Sequence, residues 1–204
     1  MKPHSLFRRL EPIPLPIFIA IALPIVVGWH AASLAGVLWG LIPAAFTGLI
    51  PHLLNRWAAR HHPAPSLDAG KPLVVVAGSA ASLITGLIIV AAFPAPRAVV
   101  ACAAGLFAIL IAVGIASVWP RPDGCRGWNL SVHASSSAGA AVVCMAEFGV
   151  AIGTVAAVLA VAVAGARVGV YAATEGADGH TAAQAVAGTL VGAIMCGMIY
   201  TLLR

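Results

Sequence analysis

The sequence predicts an all-α polytopic membrane protein, a bundle of six to seven transmembrane helices, and three observations predict it. Of the 204 residues, 61% are hydrophobic and only 8% charged, where a soluble domain carries about 25% charged residues. The apolar residues fall into seven segments of roughly 20 residues, the length that crosses a hydrocarbon layer about 30 Å thick. The links between them and the two chain ends hold nine of the eleven Lys and Arg. Mean hydropathy is +1.02. The segments use up the length, so one transmembrane domain over 1–204 is expected, with no separate soluble domain.

The segments are 13–30, 33–54, 72–93, 97–118, 132–150, 152–172 and 180–202, with six spans as the fallback count. A basic start, Lys2, Arg8 and Arg9, precedes the first segment, and no small-residue cleavage site follows it, so a retained helix is expected rather than a signal peptide. Pro14, Pro16 and Pro24 bend that helix, as membrane helices tolerate. Only His30-Ala31-Ala32 separates it from the second segment, which leaves open two short spans or a helix beside a partly inserted segment. Link 55–71 is the longest polar one. Pro94 and Pro96 part the third segment from the fourth, and a Pro- and Gly-rich loop from Trp119 to Trp128 parts the fourth from the fifth. Small residues dominate the last three segments. Gly188 and Gly192, four apart on one helix face, form a surface on which another backbone can approach closely.

Lys2, Arg8, Arg9, Arg56, Arg60, Lys71, Arg121 and Arg126 fall on one side of this topology, and Arg97 and Arg204 on the other. The positive-inside tendency then places links 55–71, 119–130 and 172–179 in the cytoplasm. Cys102, Cys144 and Cys196 lie in apolar runs and read as small core residues, while Cys125 lies in a polar loop. Their spacing is that of neither a metal site nor a disulfide framework. No basic stripe with interleaved aromatics supports nucleic-acid binding.

Polar chemistry concentrates in Trp128-Asn-Leu-Ser131-Val-His133-Ala-Ser-Ser-Ser-Ala-Gly139 and the two arginines before it, Arg121 and Arg126. A helix opening with Ser-x-His holds an imidazole at the membrane boundary, and its N-terminal N–H groups point toward a bound anion. His180 opens the seventh segment on the same predicted side. Arg167 precedes it near the end of the sixth, and Gln184 stands one helical turn on, where it can orient the imidazole. An isolated membrane histidine is more often a packing residue; two of them, accompanied by Ser131 and Arg167, point to a site.

These residues resemble the type 2 phosphatidic acid phosphatase (PAP2) superfamily of membrane lipid phosphatases. Its motifs are a Lys and an Arg-Pro, then Pro-Ser-Gly-His, then Ser-Arg followed by His-x-x-x-Asp. Arg121-Pro122 looks like the end of the first, Leu130-Ser131-Val132-His133 like the second, and Ala166-Arg167 with His180 to Gln184 like the third. The resemblance covers roughly residues 55 to 202. It extends to short, divergent actinobacterial members in which Trp-x-x-Ser-x-His and His-Thr-x-x-Gln-x-x-Ala-Gly recur, the latter matched by His180 to Gly188. Four departures stand out. Gly114 occupies the place of the lysine, Leu130 and Val132 replace Pro and Gly, thirteen residues part Arg167 from His180 where the family has about half that, and Gln184 stands in place of the carboxylate.

The resemblance implies that His180 attacks phosphorus to form a phosphohistidine, that His133 protonates the leaving lipid oxygen, and that Ser131, Arg121, Arg126 and Arg167 hold the phosphoryl oxygens. It implies no metal or other cofactor and a lipid or isoprenoid (polyprenyl) phosphate or diphosphate as substrate. Two rivals stay open. One is a cyclase or prenyl transferase using an isoprenyl diphosphate on the same scaffold, with Mg²⁺ held by Asp123, Glu175 and Asp178, although no Asp-Asp-x-x-Asp run is present. The other is a non-enzymatic lipid carrier, for which Glu147 within the fifth segment is the one intramembrane acid; the plainer reading places Glu147 near the far interface.

Overall fold

A computed structural model describes residues 15–61, 73–118, 128–174, 176 and 179–204. The described residues are all-helical. In chain order they form α1 (Leu15–Pro43), a π-helical turn (Ala44–Leu49), α2 (Ile50–His61), α3 (Leu73–Ala92), α4 (Arg97–Val118), α5 (Val132–Phe148), α6 (Val150–Ala173) and α7 (Ala182–Leu203). Among the described residues four stretches are long and apolar enough to cross a membrane: Leu15–His61, Arg97–Ser117, Val150–Ala173 and Ala182–Leu203. The seven expected segments and these four spans differ for local reasons. Two of the expected segments share the one helical run Leu15–His61. α5 has only 17 residues, and α3 counts among the described residues as a shorter apolar helix, Ala77–Ala92. The chain divides into two compact units, essentially Ala20–Ala103 and Ala104–Leu202, with the boundary inside α4.

In the first unit, α1 reverses direction at Ala32 (φ −153°, ψ 31°) and Ser33 (φ 48°, ψ −132°). Its two legs then run antiparallel in close contact. A methyl group at Gly28 would strike the carbonyl of Gly36, one at Gly36 the carbonyl of Gly28, and one at Gly40 the carbonyl of Pro24. Small residues let the legs approach to backbone contact, which is the packing that association in lipid depends on. Three residues between two expected segments thus suffice for a full turn of the chain.

The π-helical turn leaves one carbonyl open. In its i→i+5 pattern the Ile50 N–H donates to the Ala45 carbonyl, so the next donor in line, for Phe46, is residue 51. Pro51 has no N–H to give. Ser82 of α3 supplies the missing donor, its hydroxyl lying 2.7 Å from the Phe46 carbonyl oxygen. Gly86, one turn further along α3, lies against the Phe46 side chain, and Gly78, one turn before Ser82, lies against Leu54. A row of small residues on α3 therefore seats the bulge. Ser82→Ala should orphan the part-buried carbonyl and cost about 1–3 kcal/mol, read as a lower unfolding midpoint in detergent; an unchanged midpoint would mean that another donor replaces the hydroxyl.

In the second unit α5 and α6 form an antiparallel hairpin turned by Gly149 (φ 86°). Gly153 packs on Met145, and Ala141 with Ala157, and Ala138 with Ala160, line one groove. Extended by the same register, Arg167 of α6 comes level with Ser131 at the start of α5. α7 runs parallel to α5, and its glycines are where the two meet: a methyl group at Gly188 would lie 2.8 Å from the Ser131 carbonyl oxygen, and one at Gly192 would overlap the Ser135 carbonyl. Gly139 of α5 in turn faces Cys196 and Ile109, which brings α4 against the pair. Cys196 is a fully buried, free thiol. Glu147, at the opposite end of α5 from His133, is buried and accepts a hydrogen bond from the Tyr200 hydroxyl.

Candidate functional site

The chain ends of the second unit meet where α4 and α6 finish and α5 and α7 begin. Trp128 N–H donates to Ala116 near the end of α4 at 2.7 Å, and Ser131 N–H reaches the Gln184 carbonyl of α7 at 3.5 Å. Trp128 to Ser131 and the start of α7 therefore lie together at one end of this unit.

Ser131 caps α5. Its backbone is extended, its hydroxyl accepts from Ala134 N–H at 3.3 Å, and it is fully buried. The serines that follow behave differently from one another. Ser135 and Ser136 donate back to the carbonyls of Ser131 (2.9 Å) and Val132 (2.8 Å), the local bonding expected of serine inside a helix. The Ser137 hydroxyl is buried without a hydrogen-bond partner. His133 sits half-buried in the first turn of α5, one turn above Ser137 on the same helix face.

Thr181 and Gln184 form a reciprocal capping box at the start of α7. The Gln184 side-chain oxygen accepts from Thr181 N–H at 2.9 Å, and the Thr181 hydroxyl accepts from Gln184 N–H at 3.3 Å. The Thr-x-x-Gln spacing is the readable signature of that cap, and the sequence reading assigned it only to imidazole orientation. In the structure the Gln184 side chain makes that cap, and it lies close enough to the His180 ring to favour the charged imidazolium.

The thirteen-residue step from Arg167 to His180 is absorbed by local geometry. α6 continues to Ala173, and Gly176 (φ 87°) and Gly179 (φ 83°) then adopt left-handed backbone. A side chain at Gly179 would strike the Arg167 carbonyl and the Tyr171 backbone. With that contact made by glycine, His180 N–H donates to the Arg167 carbonyl at 3.1 Å, and the two residues lie side by side despite their separation in sequence.

His180 is buried, at 8% exposure. Its Nδ1 lies 3.2 Å from the Asn129 carbonyl oxygen. A carbonyl only accepts, so in the neutral ring Nδ1 carries the hydrogen and Nε2 keeps a lone pair. Burial lowers the pKa of this imidazole below its usual 6.5, and the Arg167 guanidinium lowers it further; hydrogen bonds to Asn129 and Gln184 oppose the shift. Arg167 keeps a buried Nε that has no hydrogen-bond partner among the described residues. Asn129, whose carbonyl fixes the ring, carried no sequence signal because the contact is made by backbone.

The structure thus gathers His180, Arg167, Ser131 and Gln184, with His133 two residues into the helix that Ser131 caps. Arg121, Asp123, Cys125, Arg126, Glu175 and Asp178 lie outside the described residues. Among the described residues no group of three or more His, Cys, Asp or Glu could hold a metal ion. Below the site run two apolar grooves. One of about 340 Å³ lies between α6 and α7 from Val168 and Ala182 inward to Thr189 and Leu190. The other, about 420 Å³, shares Val161 and Thr189 with it and continues between α5, α6 and α7 to Met145. Comparison of the chain with protein-family models, with curated proteins and with solved structures finds no significant match.

Proposed function

We propose that this chain is a membrane lipid phosphatase of the PAP2 type that removes phosphate from a lipid or isoprenoid phosphate or diphosphate through a phosphohistidine on His180. The observation that carries the reading is the buried, unpartnered Nε of Arg167 beside a buried imidazole, at the joined N-termini of α5 and α7. A buried donor without a partner is costly, and a phosphoryl oxygen would satisfy it in a geometry that arginine suits. Two helix N-termini add a positive field that favours an anion. The apolar grooves below offer a place for hydrocarbon, which suits a substrate whose phosphate lies at the boundary.

In this mechanism the Nε2 lone pair of neutral His180 attacks phosphorus as the bond to the lipid oxygen breaks. Protonated His133 gives its proton to that oxygen, releasing an alcohol from a monophosphate or a lipid monophosphate from a diphosphate. Water then attacks the phosphorus, passing a proton to His133, and the N–P bond breaks to return His180 and free phosphate. Ser131, Arg121, Arg126 and Arg167 hold the oxygens, and no step uses a metal. We read the bundle as six to seven spans in a bacterial plasma membrane with the site loops in the cytoplasm, on the eight-to-two distribution of basic residues and on the reversal that folds Leu15–His61 into two legs. Phosphate release from polyprenyl and phosphatidyl substrates, with Mg²⁺ and with EDTA, tests this reading. Release that survives EDTA supports it. Cyclised or transferred prenyl products with no free monophosphate would replace it with the cyclase or transferase, and no turnover of any substrate would favour a carrier.

The pKa direction gives a pH expectation. The nucleophile must be neutral, so the acid limb of kcat/KM set by His180 should lie below pH 6.5. Gln184→Glu keeps the capping-box acceptor and puts a negative charge beside the ring, which favours imidazolium; the acid limb should move to higher pH. A limb that stays in place would mean that the side chain at 184 does not face the titrating ring.

A further inference from the structure

α2 leaves the apolar run of Leu15–His61 as a helix with two distinct rows. Leu53, Trp57 and His61 stand four apart on one row, and His52, Arg56 and Arg60 on the next. The opposite face is used internally: Ala58 is buried and Leu54 lies against Gly78 of α3. The two rows therefore point outward. Leu53, Trp57, Arg56, Arg60 and His61 are exposed, and His52 is half-exposed. The aromatic row is ordered, since the Trp57 and His61 rings stack with centroids 5.2 Å apart, and His61 Nδ1 lies 2.8 Å from the Trp57 carbonyl. No acidic residue occurs anywhere in α2.

We propose that this face of α2 is a seat for the headgroup of an anionic phospholipid. Three features select that occupant. The helix continues directly from a membrane-crossing run, so its exposed face meets the headgroup region, where tryptophan is favoured. The cationic row runs beside the aromatic row, so phosphate and glycerol can meet Arg56 and Arg60 while the acyl chains lie along Leu53 and Trp57. The polar row carries basic and no acidic residues, and so complements a negative headgroup. The seat lies in the unit formed by Ala20–Ala103 and stands independently of the phosphatase reading.

The test uses the full chain in nanodiscs, with Trp29, Trp39, Trp119 and Trp128 replaced by phenylalanine so that Trp57 alone reports. Quenching by chain-brominated phosphatidylglycerol is compared with quenching by brominated phosphatidylcholine. The expected result is a preference for phosphatidylglycerol of roughly 25-fold, about one factor of five for each arginine, which weakens with salt and disappears in Arg56→Gln/Arg60→Gln. The double lysine variant should retain most of it, and quenching by phosphatidylcholine should be unchanged, showing that Trp57 still meets lipid. Equal quenching by the two lipids, or a preference that survives the double glutamine variant, would overturn the proposal. So would loss of the preference on adding inorganic phosphate at constant ionic strength, which would mark a free-anion site. Should the phenylalanine chain not assemble, phosphatidylglycerol retained by the otherwise unchanged chain through detergent washing gives the same comparison, with and without the two arginines.

Discussion

His180→Ala is expected to lower lipid-phosphate release by roughly 10³-fold or more, the scale seen when a covalent nucleophile is removed while binding groups stay. The size follows from where the imidazole sits. Its Nδ1 hydrogen is tied to the Asn129 carbonyl, burial and Arg167 keep the ring neutral, and Nε2 is thereby left as the lone-pair atom. Alanine removes that atom and leaves Ser131 and Arg167 in place, so substrate affinity should change far less than turnover. His133→Ala removes a proton donor, and its expected loss of 10²–10⁴-fold should shrink on a substrate whose leaving group needs no proton. His180→Ala should gain nothing from that substrate. Equal rescue of both variants would assign the two histidines the same role and remove the nucleophile from His180.

Gly192→Ala is expected to be the more damaging of two nominally identical substitutions in the last two helices. The added methyl would overlap the Ser135 backbone carbonyl, and backbone cannot rotate away as a side chain can. α7 would have to move off α5, and overpacking of this kind costs about 1–3 kcal/mol. Ser131, Gln184 and His180 lie at the same end of this contact, so activity should fall with stability. At Gly165 a methyl meets nothing within 4 Å, and Gly165→Ala should be neutral or stabilising by about 0.5–1 kcal/mol through helix preference alone. Unfolding of both variants in mixed micelles measures the difference. Matching midpoints would mean that α5 and α7 do not pack through Gly192.

The positions of the helices were legible because hydrocarbon length and composition are local properties: the ends of α4, and of α6 and α7 to within two residues, are the ends of apolar runs. The Gly188–Gly192 surface was legible for the same reason, since residues four apart share a helix face whatever the partner. What the sequence concealed depends on backbone carbonyls. The reversal at Ala32–Ser33 needs no breaker beyond two dihedral values, and the pairing of Pro51 with Ser82 joins residues 31 apart through a missing N–H. At the site, Asn129 orients His180 through main chain, and Gly179 closes the gap to Arg167 by a contact that only the folded loop defines. Gln184 was visible as a neighbour of His180, while its capping bond to Thr181 was overlooked although Thr-x-x-Gln is a helix-start pattern.

The central claim is tested most directly by quenching the purified chain in alkali within the first turnovers on a polyprenyl diphosphate and mapping the phosphorylated residue by mass spectrometry. The account predicts an acid-labile phosphoryl group on His180, absent in His180→Ala and accumulating in His133→Ala when the leaving group needs no proton. Phosphate released at the wild-type rate with His180 never labelled, or the label on another residue, would contradict it.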